Sequence, residues 1–338
     1  KMITRGLLIA LAVSLVLETT SYAQSNRLGT SLPTQRQLGK FGLERAWWSQ
    51  ATINPSREVV EHISHDEDMI YVLTTGGTIT GIDAETGKRL WAHQLGRRDQ
   101  PNFAPVSNGD EVLVVTGLDL YSIEKYSGDI LWQIRLPKQP STGPAADERQ
   151  VYIGTLDGSV FALSLPKIRE LFEENLLPQF SADAVSWRYK TGKEITTPPI
   201  TTGLVVNFSS LDGSLYSVET FRRKLRWQLE TDKPIAAPLA QSGDLIFMAS
   251  QDSNLYCVGA ENGTKRWYYV VGYPVRKAPK IVGDRVFLVA EGAGMYCLSK
   301  GSGIERWFRP ALTEFLAAST TRFFASDNVG NVVLVSQE

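Results

Sequence analysis

Ile70-Tyr71-Val72-Leu73-Thr74-Thr75-Gly76-Gly77-Thr78-Ile79-Thr80-Gly81-Ile82-Asp83-Ala84-Glu85-Thr86-Gly87-Lys88-Arg89-Leu90-Trp91 contains two β-rich runs, two glycine turns and a closing Trp. Ile70-Tyr71-Val72-Leu73 is built from β-branched, aromatic and aliphatic residues, which suit a buried pleated surface. The glycines of Thr75-Gly76-Gly77 supply the positive φ that a tight hairpin needs, and Thr78-Ile79-Thr80-Gly81-Ile82 reads as the returning strand. A second turn, Glu85-Thr86-Gly87-Lys88, leads into a strand carrying Trp91.

The same grammar recurs down the chain. Trp stands at 47, 91, 132, 187, 227, 267 and 307, with spacings of 44, 41, 55, 40, 40 and 40, and only Trp48 is out of register. First strands recur at Val112-Leu113-Val114-Val115, Val151-Tyr152-Ile153, Leu204-Val205-Val206, Ile246-Phe247-Met248, Val286-Phe287-Leu288 and Phe323-Phe324-Ala325. A short Pro-bearing segment such as Ala104-Pro105-Val106, Ala237-Pro238-Leu239 or Ala278-Pro279-Lys280 opens the next unit. Four short antiparallel strands in about 40 residues describe a propeller blade. Seven hairpins are present, but the last unit lacks its own Trp strand, while Leu43-Glu44-Arg45-Ala46-Trp47-Trp48 precedes the first. The expected fold is therefore all-β: a seven-bladed propeller of four-stranded blades over residues 43–338. It is expected to close where the N-terminal strand pairs beside Val332-Val333-Leu334-Val335, leaving no long edge exposed.

Gly81-x-Asp83-x-x-Thr86-Gly87-x-x-x-Trp91 resembles the repeat of the PQQ-like, quinoprotein-type propeller family, Ala-x-Asp-x-x-Thr-Gly-x-x-x-Trp, with Gly for Ala. Ser122-x-Glu124-x-x-Ser127-Gly128-x-x-x-Trp132 and Cys257-x-Gly259-x-x-Asn262-Gly263-x-x-x-Trp267 are looser copies, and the unit ending at Trp227 has Arg223 where the Gly stands. The resemblance covers nearly all of residues 43–338 and implies two kinds of activity. One branch, the outer-membrane assembly factors of the BamB type, is non-catalytic, periplasmic and built for protein contacts. The other comprises quinone-dependent dehydrogenases, which carry adjacent cysteines, a calcium ion and generally eight blades. Here there are two cysteines, 40 residues apart, and no identifiable calcium set. The first branch is departed from too, since no lipid-bearing Cys follows the apolar N-terminal run and seven blades are counted instead of eight.

The seven recurring Trp residues read as architecture, each covering the neighbouring blade from an outer strand. Cys257 and Cys297 share a slot held elsewhere by Gly81, Ser122, Ala162 and Ser217, so it selects small residues. Equivalent positions in neighbouring blades are too far apart for a disulfide, and two buried free thiols are expected. His62 and His65 lie near Asp66 and Asp68 without matching a zinc spacing, His93 stands apart, and nothing marks one Ser as activated. No catalytic residue, metal site or cofactor is expected.

At the N-terminus, Lys1 and Arg5 precede an apolar run over residues 7–17 and then Ser21-Tyr22-Ala23, the layout of a signal peptide cleaved after Ala23. The run is shorter than the roughly 20 residues of a membrane-spanning helix. A soluble, exported, periplasmic or extracytoplasmic product is expected, with no membrane or lipid anchor. Residues 24–42 are polar and aperiodic, and read as a flexible lead-in. A net charge of −1 offers no global positive field, so nucleic acid is not an expected partner.

The 55-residue interval holds an insertion at about 166–180, where Ile168, Leu171, Phe172 and Leu176 form a helical stripe. The stripe either packs on its own blade or binds a partner. The function expected is a non-catalytic scaffold for protein partners in the cell envelope or in outer-membrane protein assembly. A PQQ-dependent dehydrogenase-like oxidoreductase is the alternative, and a sensor holding a small ligand in the channel is a third.

Overall fold

The computed structural model describes residues 34–40, 42–177, 181–318 and 322–336, and the chain is a seven-bladed β-propeller. In blade 1, strands β1 (Val60–His65), β2 (Met69–Thr74), β3 (Thr78–Asp83) and β4 (Arg89–Gln94) pair antiparallel in chain order. Blades 2 to 6 repeat the unit over residues 106–135, 145–190, 200–230, 240–270 and 280–309. First strands of neighbouring blades touch one another, so they stand around the axis and the Trp strands lie outermost.

Burial follows from that arrangement. β2 is buried along its whole length and β3 nearly so, because both faces of a middle strand are covered by neighbouring blades. That is why Met69-Ile70-Tyr71-Val72-Leu73 reads as a continuous apolar run rather than an alternating one. The outer strand β4 is wet except at Trp91. Packing between blades builds the core: Leu113 and Val115 of blade 2 join Val151, Ile153 and Leu163 of blade 3, and Phe247 and Leu255 of blade 5 join Val286 and Leu288 of blade 6.

The small-residue slot has a simple cause. Gly81, Ser122, Ala162, Ser217, Cys257 and Cys297 lie directly across the strand pair from Trp91, Trp132, Trp187, Trp227, Trp267 and Trp307. A Cβ on Gly81 would overlap the Trp91 indole. The register shifts by one residue immediately after each of these six pairs, a recurring bulge of the kind that sharpens strand twist. Cys257 and Cys297 are free and fully buried, and burial pushes their thiols up to about 12 and about 11.

Blade 7 contributes three laddered strands, Leu312–Ala318, Arg322–Asp327 and Val332–Ser336. The closure expected of the N-terminal segment takes a different form from a regular ladder, because residues 43–48 adopt no assigned strand. Side chains do the joining. Leu38 and Leu43 are buried against Ala317, Phe324, Val332 and Leu334, while Trp47 reaches over to blade 1.

The lead-in is also not aperiodic to its end. Helix α1 (Gln35–Gly39) is opened by a capping box between Thr34 and Gln37, and it places Leu38 on blade 7. The expected signal peptide, residues 1–23, lies outside the described residues. Among the described residues no helix is long and apolar enough to cross a membrane.

Candidate functional site

The repeat motif is a joint. In blade 1, Asp83 accepts hydrogen bonds from the Thr86 backbone N–H and hydroxyl, both at 2.6 Å, and Gly87 takes φ 73° to complete the turn. The Thr86 bonds also hold the Asp83 carboxyl below its usual range. This turn presents the Ala84 carbonyl, and Trp47 Nε1 donates to it at 3.1 Å while its ring lies over Gly87. Trp91 donates to Lys125 O at 2.9 Å, Trp187 to Thr220 O at 2.6 Å, Trp227 to Ala260 O at 3.1 Å and Trp267 to Lys300 O at 2.9 Å. Each acceptor is the first residue after a third strand, three residues before the positive-φ position of the next blade's turn. A Cβ at Gly87, Gly128, Gly263 or Gly303 would strike the incoming indole, which is why glycine stands there.

Three joints depart from this pattern. Trp187 meets a turn in which Arg223, at φ 54°, replaces the glycine. Trp307 faces the seam, where the third and outer positions of blade 7 come from opposite ends of the chain; its ring stacks on Phe323 at 5.1 Å. Trp132 is 2% exposed, and its Nε1 has no hydrogen-bond partner. The acceptor position opposite it is Leu165, and Leu165 opens the insertion helix instead of a turn, so its carbonyl is directed along a helix axis.

That helix, α2 (Leu165–Glu173), is capped by Ser164, carries Pro166 in its first turn and ends with Asn175 at φ 58°. Ile168 and Leu171 are buried beside Trp132, Ile134 and Leu136 of blade 2, and Leu176 packs against the same group. Three of the four stripe residues therefore dock the insertion on the propeller. Phe172 alone stands out, 48% exposed.

Ionisable groups meet between blades 1 and 2 around the buried Lys125. Lys125 Nζ lies 3.1 Å from Asp66 and 3.0 Å from Asp68, and Tyr71 OH and Ser107 Oγ reach the same Asp66 carboxylate. Burial disfavours the Asp66 charge, but Ser107, the Met69 and Asp68 backbone N–H groups and Lys125 together hold its carboxyl below the usual range. Burial likewise disfavours the Lys125 ammonium, and the bonds to Asp68 and Asp66 outweigh it, holding that pKa well above the ordinary lysine value. These contacts act as interblade struts, tying Asp66 and Asp68 of blade 1 to Ser107 and Lys125 of blade 2. His62 Nε2 pairs with Asn102 O and His93 Nε2 with Gly128 O, so the histidines are likewise engaged with the backbone. A cleft of about 420 Å³ between blades 6 and 7 is flanked by Arg276 and Lys277, which are paired to Glu291 and Glu314.

A family model described as "Outer membrane protein assembly factor BamB" matches residues 44–164 and 211–337, well over half of the sequence. The chain belongs to the BamB family. Outer membrane protein assembly factor BamB of Burkholderia pseudomallei is 24% identical over 140 residues, covering 40% of this chain and 32% of that protein. Its counterpart in Nitrosomonas eutropha is 22% identical over 168 residues, covering 50% and 36%. The matched stretches thus span about a third of these relatives' own length. Among solved structures, BamB from Moraxella catarrhalis superposes with a TM-score of 0.60 at 20% identity, covering 82% of this chain and 85% of that one. The computationally designed Ika8 protein superposes with a TM-score of 0.64 at 14% identity, covering 83% and 84%. At these identities the likeness is one of fold.

Pyrroloquinoline quinone, which the wider repeat family takes its name from, does not fit the residues present: Cys257 and Cys297 sit in different blades, each buried opposite its own Trp. Among the described residues no three His, Cys, Asp or Glu side chains converge as a metal site. Sequence reasoning found the Trp residues of this BamB-family ring but missed their acceptors, because a backbone carbonyl leaves no residue-type signal. Constant placement three residues before the turn glycine was the available clue. It named Asp66 beside His62 and His65 but missed its pairing with Lys125, which is distant in sequence and an ordinary surface residue type.

Proposed function

We propose that this chain is a non-catalytic, extracytoplasmic scaffold that holds protein partners during outer-membrane protein assembly. The observation that carries the reading is the family match to assembly factors across both halves of a ring whose recurring residues join blade to blade. A large, stiff body with variable turns at both ends suits a role in which several proteins are positioned at once, since loops on a rigid frame commonly carry specificity. Exposed apolar residues stand on turns and the insertion as well as on outer strands, with Tyr126, Phe172 and Phe221 on one end of the ring and Leu156, Tyr273 and Val329 on the other. Such isolated anchors are typical contact residues when a partner buries them.

The test is photo-crosslinking from a probe at Phe172 and another at Tyr273 in intact cells, followed by mass spectrometry. The expected products contain components of the outer-membrane assembly apparatus. Stoichiometric binding of the quinone with calcium, seen by absorbance and calorimetry, or crosslinks confined to cytoplasmic proteins, would overturn the proposal.

A further inference from the structure

The third turn of blade 4 differs from its counterparts in chemistry and in backbone. Elsewhere that turn reads Ala84-Glu85-Thr86-Gly87-Lys88, Lys125-Tyr126-Ser127-Gly128-Asp129, Ala260-Glu261-Asn262-Gly263-Thr264 or Lys300-Gly301-Ser302-Gly303-Ile304, with no more than one cation in each. In blade 4 it reads Thr220-Phe221-Arg222-Arg223-Lys224, with three cations in the same five positions, and residues 221–226 are all exposed. Arg223 holds φ 54° where the four counterparts are glycine at φ 67° to 82°. A side chain at a left-handed position is unfavourable by about 1–2 kcal/mol relative to the right-handed region, so its presence marks a residue that folding alone does not ask for.

Two apolar tips emerge among these charges. Phe221 is 57% exposed, and Leu204, in the adjacent turn of the same blade, is 69% exposed. Both turns lie at one end of the blade and are tied by the Thr220 N–H donating to Leu204 O at 3.1 Å. Arg149 of blade 3 lies over the Phe221 ring at 5.8 Å, adding a further cation beside the apolar tip. Arg226 is paired with Glu219, whereas Arg222, Arg223 and Lys224 take part in no ion pair among the described residues. The whole chain carries a net charge of −1, so this is a local positive patch on a near-neutral body.

From this placement we infer that the blade 4 turns are a docking point for an anionic phospholipid bilayer, with Phe221 and Leu204 entering the interfacial region and Arg149, Arg222, Arg223 and Lys224 facing the lipid phosphates. Exposed apolar side chains set among Lys and Arg are the chemistry by which a protein rests on a charged membrane surface without crossing it. A peptide is held by a concavity or by pairing with a strand edge. Two projecting tips suit a flat, deformable surface better. The inference goes beyond the scaffold role and is independent of it, since partner crosslinks can persist in a protein that no longer meets the bilayer.

The experiment is hydrogen exchange on the full chain with vesicles of phosphatidylcholine alone or with about one third phosphatidylglycerol, alongside flotation of the same mixtures. The turn-specific readout separates this contact from any membrane affinity of residues 7–17. Expected is protection of residues 220–226 with the anionic vesicles only, reversed in 0.5 M salt. At about fivefold per cation, Arg222→Ser, Arg223→Gly and Lys224→Ser together weaken turn-dependent vesicle binding on the order of a hundredfold. Phe221→Ser alone weakens it several-fold. Arg223→Gly installs the residue that four other blades carry, so its melting temperature stays level or rises, and it serves alone should the triple variant fold poorly. Equal protection with neutral vesicles, unchanged binding of the charge variants, or tighter protection of the same residues by an acidic peptide overturns the inference.

Discussion

Trp267 and Trp132 occupy the same place in their blades, yet one indole N–H is bonded and the other is not. Each buries a large ring between blades, and Trp267→Ala is expected to cost about 3–5 kcal/mol, as other large-to-small core changes do. Phenylalanine separates the ring from its polar handle. Trp267→Phe loses the bond to Lys300 O, whereas Trp132→Phe removes a buried donor that has no partner. Trp132→Phe should therefore be milder by about 1 kcal/mol, measured by urea unfolding of the two variants. Equal losses would mean that the N–H of Trp132 is satisfied by water. At this scale the repeat motif is fully explained: Gly81 makes room for Trp91, Asp83 and Thr86 shape the turn, Gly87 admits Trp47 and Trp91 reaches the next blade.

Among the elements, α2 was visible as a helical stripe, but the sequence left open whether the stripe was core or contact. The fold decides it residue by residue, because only three of the four side chains can face blade 2. Leu171→Ala is expected to destabilise by about 2–4 kcal/mol and Phe172→Ser to leave the melting temperature within about a degree, read by calorimetry. A reversed order would show that the helix docks through its other face. The strut between blades 1 and 2 makes a pH-dependent prediction. Asp66 has a lowered pKa, so its contribution is fully present above the unfolded carboxylate value of about 3.9 and is lost as pH falls through the lower folded value. Lys125 has a raised pKa, so its contribution is complete below about 10.4 and is lost only as pH rises through a still higher folded value. Lys125→Met leaves Asp66 partly buried without its cation and should cost about 2–3 kcal/mol at pH 7; Asp68 is largely exposed and adds little. Melting temperatures from pH 7 down to 2.5 should fall less steeply in this variant than in the native protein. Parallel curves would remove the strut from the account of acid stability.

For the whole molecule, the seam runs within blade 7, between its third strand and the outer segment, which come from opposite ends of the chain. Trp47, Leu38 and Leu43 carry it. Because a ring transmits its packing through every joint, opening this one should loosen its two flanking blades before the rest. Trp47→Ala is expected to speed amide exchange in residues 60–94 and 312–336 ahead of blades 3 to 5, with a stability loss of about 3–5 kcal/mol. Uniform exchange across the seven blades would argue that the ring stays shut by the core of blade 7 alone.

Repetition made the architecture legible from sequence: equal Trp intervals, hairpin glycines and small residues opposite each indole are local demands of one unit, so each copy restates them. Departures from repetition needed the tertiary structure. Whether Trp132 finds an acceptor depends on whether a turn or a helix succeeds the third strand of the next blade, and whether Ile168 and Phe172 are core or surface depends on where α2 comes to rest. The docking of Leu38 and Leu43 on blade 7 depends on distant stretches of the chain meeting across a circle. Each of these is settled by which groups from distant parts of the chain exclude water together, a property of the packed ring that no single segment carries in its own residues.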